Sequence, residues 1–203
     1  MCRKGMVGIC LLFLFILLSA CSNGGNSAES ITAQDVPEEP SKDHIIETIE
    51  HSSNYDIDDV IEANFPKITT IEGDSSNAEI FATTRFQLTE LSSLLSNNIE
   101  PSEISEVKDN QQILIYQNEF ITLRESEADT SVLLIEVASD EFVRRNYSPN
   151  FLSTYFTLRL LEEVLDVDDW GKKYRGTYTG MGGLGTPSRG NTTFRGGGPG
   201  TGK

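Results

Sequence analysis

The sequence predicts an α+β domain: a small, mostly antiparallel sheet of about five strands, covered by helices on one side, between two flexible ends. Three observations predict it. Runs rich in β-branched residues alternate with amphipathic runs of helical period. Three strand-like segments follow one another between residues 112 and 137, separated by short turns. Composition also turns polar at one end and glycine-rich at the other, where no core can form.

Taken in order, Ile45, Ile46 and Ile49 have helical spacing and place a short helix after residue 43. A second helix is marked by Asp56 as its cap, by Asp58 and Asp59 in its first turn, and by Ile57, Val60 and Ile61 on one side. Pro66 ends it. Residues 68–72 and 79–84 read as strands joined by a hairpin loop through Gly73. Thr84 and Gln87 have capping-box spacing ahead of Leu88, Leu91, Leu94 and Leu95, the stripe of an amphipathic helix closed by Asn97, Asn98 and Pro101.

The sheet signal is firmest at residues 112–117, 120–124 and 131–137, with a tight turn at Asn118-Glu119. Leu133-Leu134-Ile135 does not alternate, so that strand is expected to be central and covered on both faces. Ser139 then caps a helix reaching about Tyr147. After Pro149, residues 151–165 read as one last helix, with nine apolar or aromatic side chains spread around most of its circumference. Core packing, a partner groove and membrane contact are all consistent with so apolar a surface. Phe151, Tyr155 and Phe156, with the adjacent cations Arg144 and Arg145, form the candidate partner surface, although pairing of one arginine with Glu141 or a sheet carboxylate, the other facing solvent, accounts for the two cations structurally.

The amino terminus carries the most specific signal. Arg3 and Lys4 precede an uncharged stretch of 16 residues from Gly5 to Ala20. A charged start, a short apolar core and small residues at the exit describe a secretion signal, and about 20 apolar residues are normally needed to cross a bilayer. A short transmembrane helix is the alternative. Leu18-Ser19-Ala20-Cys21 resembles the bacterial lipoprotein signal, in which small side chains at Ser19 and Ala20 fit the peptidase and the Cys21 thiol accepts a diacylglyceryl group. That resemblance implies cleavage before Cys21 and anchoring to the extracytoplasmic face of the membrane through the lipid. Cys2 and Cys10 would leave with the signal at residues 1–20, so the mature chain would hold neither a free thiol nor a disulfide.

Charge narrows the partners. With the signal removed, 14 basic residues face 31 acidic ones, a net charge of −17. This balance argues against nucleic acid and against direct adsorption of the domain to anionic lipid. Residues 21–42 read as a flexible tether and 43–169 as the single domain. Residues 170–203 contain twelve glycines and six basic side chains with no acidic one, the composition of a disordered basic tail. Its Trp170, Lys172, Lys173 and Arg175 are the candidate contacts to anionic lipid or an anionic wall polymer, with the acidic domain itself as the competing surface.

No catalytic or metal signature emerges, and no cofactor is called for. His44 and His51 are too far apart to act as adjacent ligands on one helical face. Asp166, Asp168 and Asp169 lack the ligand and glycine order of a calcium loop. The leading expectation is therefore a non-catalytic envelope lipoprotein that binds a protein partner or organises the cell surface. The alternative is an enzyme or ligand-binding domain acting on envelope polymer or lipid through its carboxylates.

Asp140-Glu141-Phe142-Val143-Arg144-Arg145-Asn146-Tyr147-Ser148-Pro149, with Phe151-Leu152 after it and Glu62-Ala63-Asn64-Phe65-Pro66 before, resembles an uncharacterised family of short Gram-positive lipoproteins, the domain of unknown function number 4247. The likeness spans about residues 50–180. It implies extracytoplasmic lipoprotein status and carries no mechanism. The chain departs from that family after Phe151, where residues 160–169 are charged and helical instead of shorter and glycine-rich.

Overall fold

The computed structural model describes residues 31–53, 56–73 and 75–181. Two helices, α1 (Lys42–Glu50) and α2 (Ile57–Asn64), precede the hairpin β1 (Lys67–Glu72) and β2 (Asn77–Thr83). Helix α3 (Leu88–Asn98) then leads to β3 (Glu103–Ile104), β4 (Gln111–Ile115), β5 (Glu119–Glu125) and β6 (Leu133–Ser139). Four short helices follow: α4 (Asp140–Asn146), α5 (Pro149–Leu152), α6 (Leu158–Val164) and α7 (Trp170–Lys173).

All six strands pair antiparallel, in the order β1-β2-β6-β5-β4-β3. The α+β class and the antiparallel sheet are as the sequence predicts, with β3 as an added sixth strand of two exposed residues. So short a strand at a sheet edge has no hydrophobic alternation to reveal it. The opposite edge, β1, shifts register between Lys67 and Thr69, a bulge in its pairing with β2.

Helices cover both faces of the sheet, where one had been expected. Leu133, Ile135 and Val137 of β6 face a cluster with Ile45, Ile49, Val60, Ile61, Leu91 and Leu95 from α1–α3. Ala138 faces the other way, into a cluster with Phe142, Val143, Leu152, Leu161 and Trp170 from α4–α7. Leu134, also on that face, belongs to a smaller cluster with Ile31, Ile80, Ala82, Val132 and Met181. Strand β6 lies between β2 and β5, and its unbroken apolar run reflects burial on both sides.

The helix expected over residues 151–165 is two helices. Ser148 caps α5 by accepting the Phe151 N–H, and Thr157 caps α6 by accepting the Leu160 N–H. Between them, Ser153 Oγ donates to the Asn150 carbonyl and Thr154 Oγ1 to the Phe151 carbonyl. Such local side-chain bonds compete with helix continuation. The capping box at Thr84 does not form either: α3 starts at Leu88, with Gln87 at its cap position. Thr84 bonds to Glu39 instead.

Both domain boundaries move outward. Part of the segment read as tether is folded: Ile31 is buried and its carbonyl accepts the Ser126 hydroxyl at 2.6 Å. The Ala33 amide donates to Asp129. Glu39 is buried and accepts from the Thr83 hydroxyl (2.6 Å), the Thr84 amide (2.8 Å) and the Thr84 hydroxyl (2.5 Å), with Arg85 at 3.5 Å. At the other end, Trp170 is fully buried and donates from its indole nitrogen to the Arg144 carbonyl at 3.0 Å. Residues 170–181 therefore belong to the fold, whereas residues 182–203 lie outside the described residues.

Candidate functional site

The residues proposed for the lipid anchor, Leu18, Ser19, Ala20 and Cys21, lie outside the described residues. The proposed partner surface is only partly assembled. Ser139 accepts the Phe142 N–H and starts α4, which places Arg144 and Arg145 in its last turn beside the negative end of the helix. Arg145 pairs with Glu141 at 3.1 Å, while Arg144 lies 3.8 Å from Asp140 and reaches the Leu165 carbonyl. Exposed pairs one helical turn apart hold little energy, roughly 0.5 kcal/mol. Phe151 and Tyr155 are half-buried, with ring centroids 5.4 Å apart. Phe156 does not join them at the surface: it is buried in the α4–α7 cluster.

The proposed tail contact divides in the same way. Trp170 is core, so it is not available to a membrane or polymer. Lys172 pairs with Asp169 at 2.6 Å, and that lysine holds the Asp169 carboxyl below its ordinary range. Lys173 and Arg175 are exposed. Asp166 and Asp169 both adopt left-handed backbone, and Asp169 occupies the cap position of α7. Asp166, Asp168 and Asp169 thus shape turns, and among the described residues no group of three or more His, Cys, Asp or Glu is placed to hold a metal ion.

The structure brings together a cluster that the sequence did not single out. Glu136, in the central strand, is fully buried on the α4–α7 face. Tyr147, the residue after α4, donates its hydroxyl to Glu136 Oε1 at 2.7 Å. The chain returns here after α7: Tyr178 forms a bridge with Tyr147, its amide donates to the Asn146 carbonyl, and its carbonyl accepts the Ser148 amide. Tyr147 and Tyr178 rings meet edge-on at 4.9 Å, and Phe142, Phe151 and Tyr155 extend the row to the half-exposed rim. Glycine is required at residue 176, where an added Cβ would lie 2.2 Å from the Tyr147 carbonyl oxygen.

Burial pushes the Glu136 carboxyl up to about 7, against the opposing effects of the Tyr147 and Tyr178 hydroxyls and the Met181 amide. Neither Glu136 Oε2 nor the Tyr178 hydroxyl has a hydrogen bond of regular geometry among the described residues. Burial, and then the carboxylate, push the Tyr147 and Tyr178 hydroxyls well above the usual tyrosine range. A protonated Glu136 suits this setting, because it removes the charge and supplies a donor toward Tyr178.

A second carboxyl, Glu119, is pushed up to about 7 by burial and by the negative charges of Asp58, Asp140 and Glu79. It sits at the start of β5, where its register partner is the helix cap Ser139. Neither carboxyl is placed beside a histidine. His51 faces the Glu47 carbonyl of its own helix, and the His44 amide serves the Ser41 cap.

The chemistry available at Glu136 is that of a sealed acid: it can hold or release one proton while accepting the Tyr147 hydroxyl. Comparison of the chain with protein-family models, with curated proteins and with solved structures finds no match in any of the three.

Proposed function

We propose that this protein is a non-catalytic lipoprotein held on the extracytoplasmic face of a cell membrane, where its acidic α+β domain binds a protein partner or helps organise the envelope. The observation that carries the reading is Leu18-Ser19-Ala20-Cys21 at the end of a charged-then-apolar leader. The resemblance around residues 140–152 to the Gram-positive lipoprotein family supports the same reading. So does the polar composition of residues 22–30, between Cys21 and the first described residue, Ile31.

Cell fractionation tests it. Cys21→Ala should move the protein from membranes to the soluble extracytoplasmic fraction, and the wild type should gain the mass of a diacylglyceryl group on Cys21. Retention of the alanine variant on membranes would favour a transmembrane leader instead.

The alternative, an enzyme or ligand-binding domain acting on envelope material, draws on one observation: the raised Glu136 carboxyl, since strongly perturbed acids concentrate at functional sites. Its complete burial under Tyr147, Tyr178 and Met181 fits a structural acid better. Turnover of purified wall or lipid material by the domain, abolished by Glu136→Gln with the fold intact, would reverse that preference.

A further inference from the structure

Glu136 is roofed by a short piece of chain. Its register partners in the sheet are Ile80 of β2 and Thr122 of β5, both buried, so the strands seal its sides. Over it lie Tyr147, at the end of α4, and residues 176–181, which return across this face after α7. The return alternates like a strand: Thr177 and Thr179 are exposed, while Gly176, Tyr178 and Gly180 face inward. Gly176 lies against the Asn146 and Tyr147 backbone, and Gly180 adopts left-handed backbone beside Phe151 and the Tyr147 hydroxyl.

The covers of Glu136 are held unequally. β2 and β5 are paired with β6 along its whole length, and α4 is pinned by the core residues Phe142 and Val143. The return is held by the two backbone bonds of Tyr178, to Asn146 and Ser148, and by the buried Met181 side chain. Segments with few bonds and few buried side chains open first, so the return is the cheapest cover to lift.

No cation compensates a charge on Glu136. Tyr147 and Tyr178 are the titratable groups upon it, and Tyr155, from the turn between α5 and α6, acts on Tyr147. Arg124, on the same face of β5, is paired with Glu127, and Asp109 acts on Tyr155. Residues 176–181 carry no charge, and Lys173 and Arg175 ahead of them are exposed. Glu119 belongs to the opposite face, with Ile121 and Leu123.

We propose that residues 176–181 form a proton-controlled latch, held shut over Glu136 while its carboxyl is neutral and lifted more readily once it ionises. A buried carboxylate without a counter-charge is costly, and lifting the return hydrates it while uncovering Tyr147 and Phe151. The sign follows from linkage. The carboxyl titrates near about 7 under the closed latch and near its ordinary 4.5 once hydrated. Opening therefore becomes roughly tenfold easier per pH unit between those values and is level outside them.

Amide hydrogen exchange on the full-length protein tests this, expressed as protection factors so that the intrinsic pH dependence divides out. Protection of the Tyr178 amide should fall roughly tenfold per pH unit from about pH 5 to 7 and then level off. It should stay at least about tenfold below that of Ile135 in β6, because the latch opens without global unfolding. Low urea should lower Ile135 protection and leave Tyr178 nearly unchanged, since local opening exposes little surface. In Glu136→Gln the Tyr178 profile should be flat.

A pH-independent Tyr178 amide in the wild type overturns the proposal. So does protection equal to that of Ile135 at every pH and urea concentration, which would mean that the return opens only when the whole domain unfolds. An unchanged slope in Glu136→Gln also overturns it, by assigning the proton to another group. Should that variant fail to fold, the two wild-type outcomes decide the matter by themselves.

Discussion

Glu136 links folding to pH, and the direction follows from its surroundings. Its carboxyl titrates near 4.5 in the unfolded chain and is pushed up to about 7 by burial in the fold. Between those values the folded protein holds a proton that the unfolded chain has released. The contribution to stability is fully present below about 4.5 and is lost as pH rises through about 7. The shift amounts to about 3 kcal/mol. Glu136→Gln keeps an acceptor for the Tyr147 hydroxyl, so it should flatten this loss and stabilise the protein on the alkaline side. Urea midpoints measured on both sides of neutrality test it: wild type should weaken with rising pH more steeply than the variant. Glu119, raised in the same direction, leaves a residual slope in both proteins. Identical slopes would mean that Glu136 is not the linked group. The sequence did contain a trace of this residue, one acid inside the apolar run Leu133-Leu134-Ile135-Glu136-Val137. Its partner Tyr178 lies in a segment whose average composition reads as tail, and no local pattern joins the two.

Among elements, the carboxyl-terminal half of the fold was the least legible. Strands β1, β2, β4, β5 and β6 and helices α1–α4 follow from their residue patterns, and the starts of α2 and α4 from Asp56 and Ser139, whereas the cap expected at Thr84 for α3 does not form. The break between α5 and α6 does not, since Phe151, Leu152, Tyr155 and Phe156 maintain an apolar pattern through the turn. Trp170 and Met181 were obscured differently: both are buried, but the glycines downstream dominate any composition averaged over residues 170–203. If α7 and the strand-like return are part of the core, they should behave as such. Trp170→Ala should cost about 3–5 kcal/mol, and Gly176→Ala should also destabilise strongly because its Cβ meets the backbone of Asn146 and Tyr147. Lys173→Ala should stay within about 0.5 kcal/mol of wild type. Chemical denaturation ranks the three, and a neutral Trp170→Ala would restore the reading of this segment as tail. The candidate partner surface was legible only as residues: Arg145 pairs as expected, while Phe156 sits in the core.

For the whole molecule, the amino-terminal boundary matters most. A soluble form beginning at residue 31 retains Ile31 in its cluster and Glu39 on Thr83 and Thr84; one beginning at residue 43 loses both. Burial of one isoleucine is worth about 1.5–3 kcal/mol, and each hydrogen bond to a carboxylate about 1.5–3 kcal/mol. The shorter form should therefore melt roughly 10 °C lower or more. Calorimetry of the two forms decides it, and equal melting temperatures would show residues 31–42 to be an appendage. Composition concealed this boundary because Ser, Asn, Glu and Pro dominate the segment, and the one buried carboxylate is indistinguishable by sequence from its solvated neighbours.

The edges of the sheet have a further consequence for a protein confined to a surface. Molecules attached to one plane meet repeatedly in similar orientations, and an open strand is a template on which the next copy can add. Here one edge is the two-residue β3, and the other is the polar, bulged β1, on which Lys67 pairs with Glu79. Neither offers a long flat ladder. On the anchored reading, such a protein can be packed densely side by side while each copy remains separate.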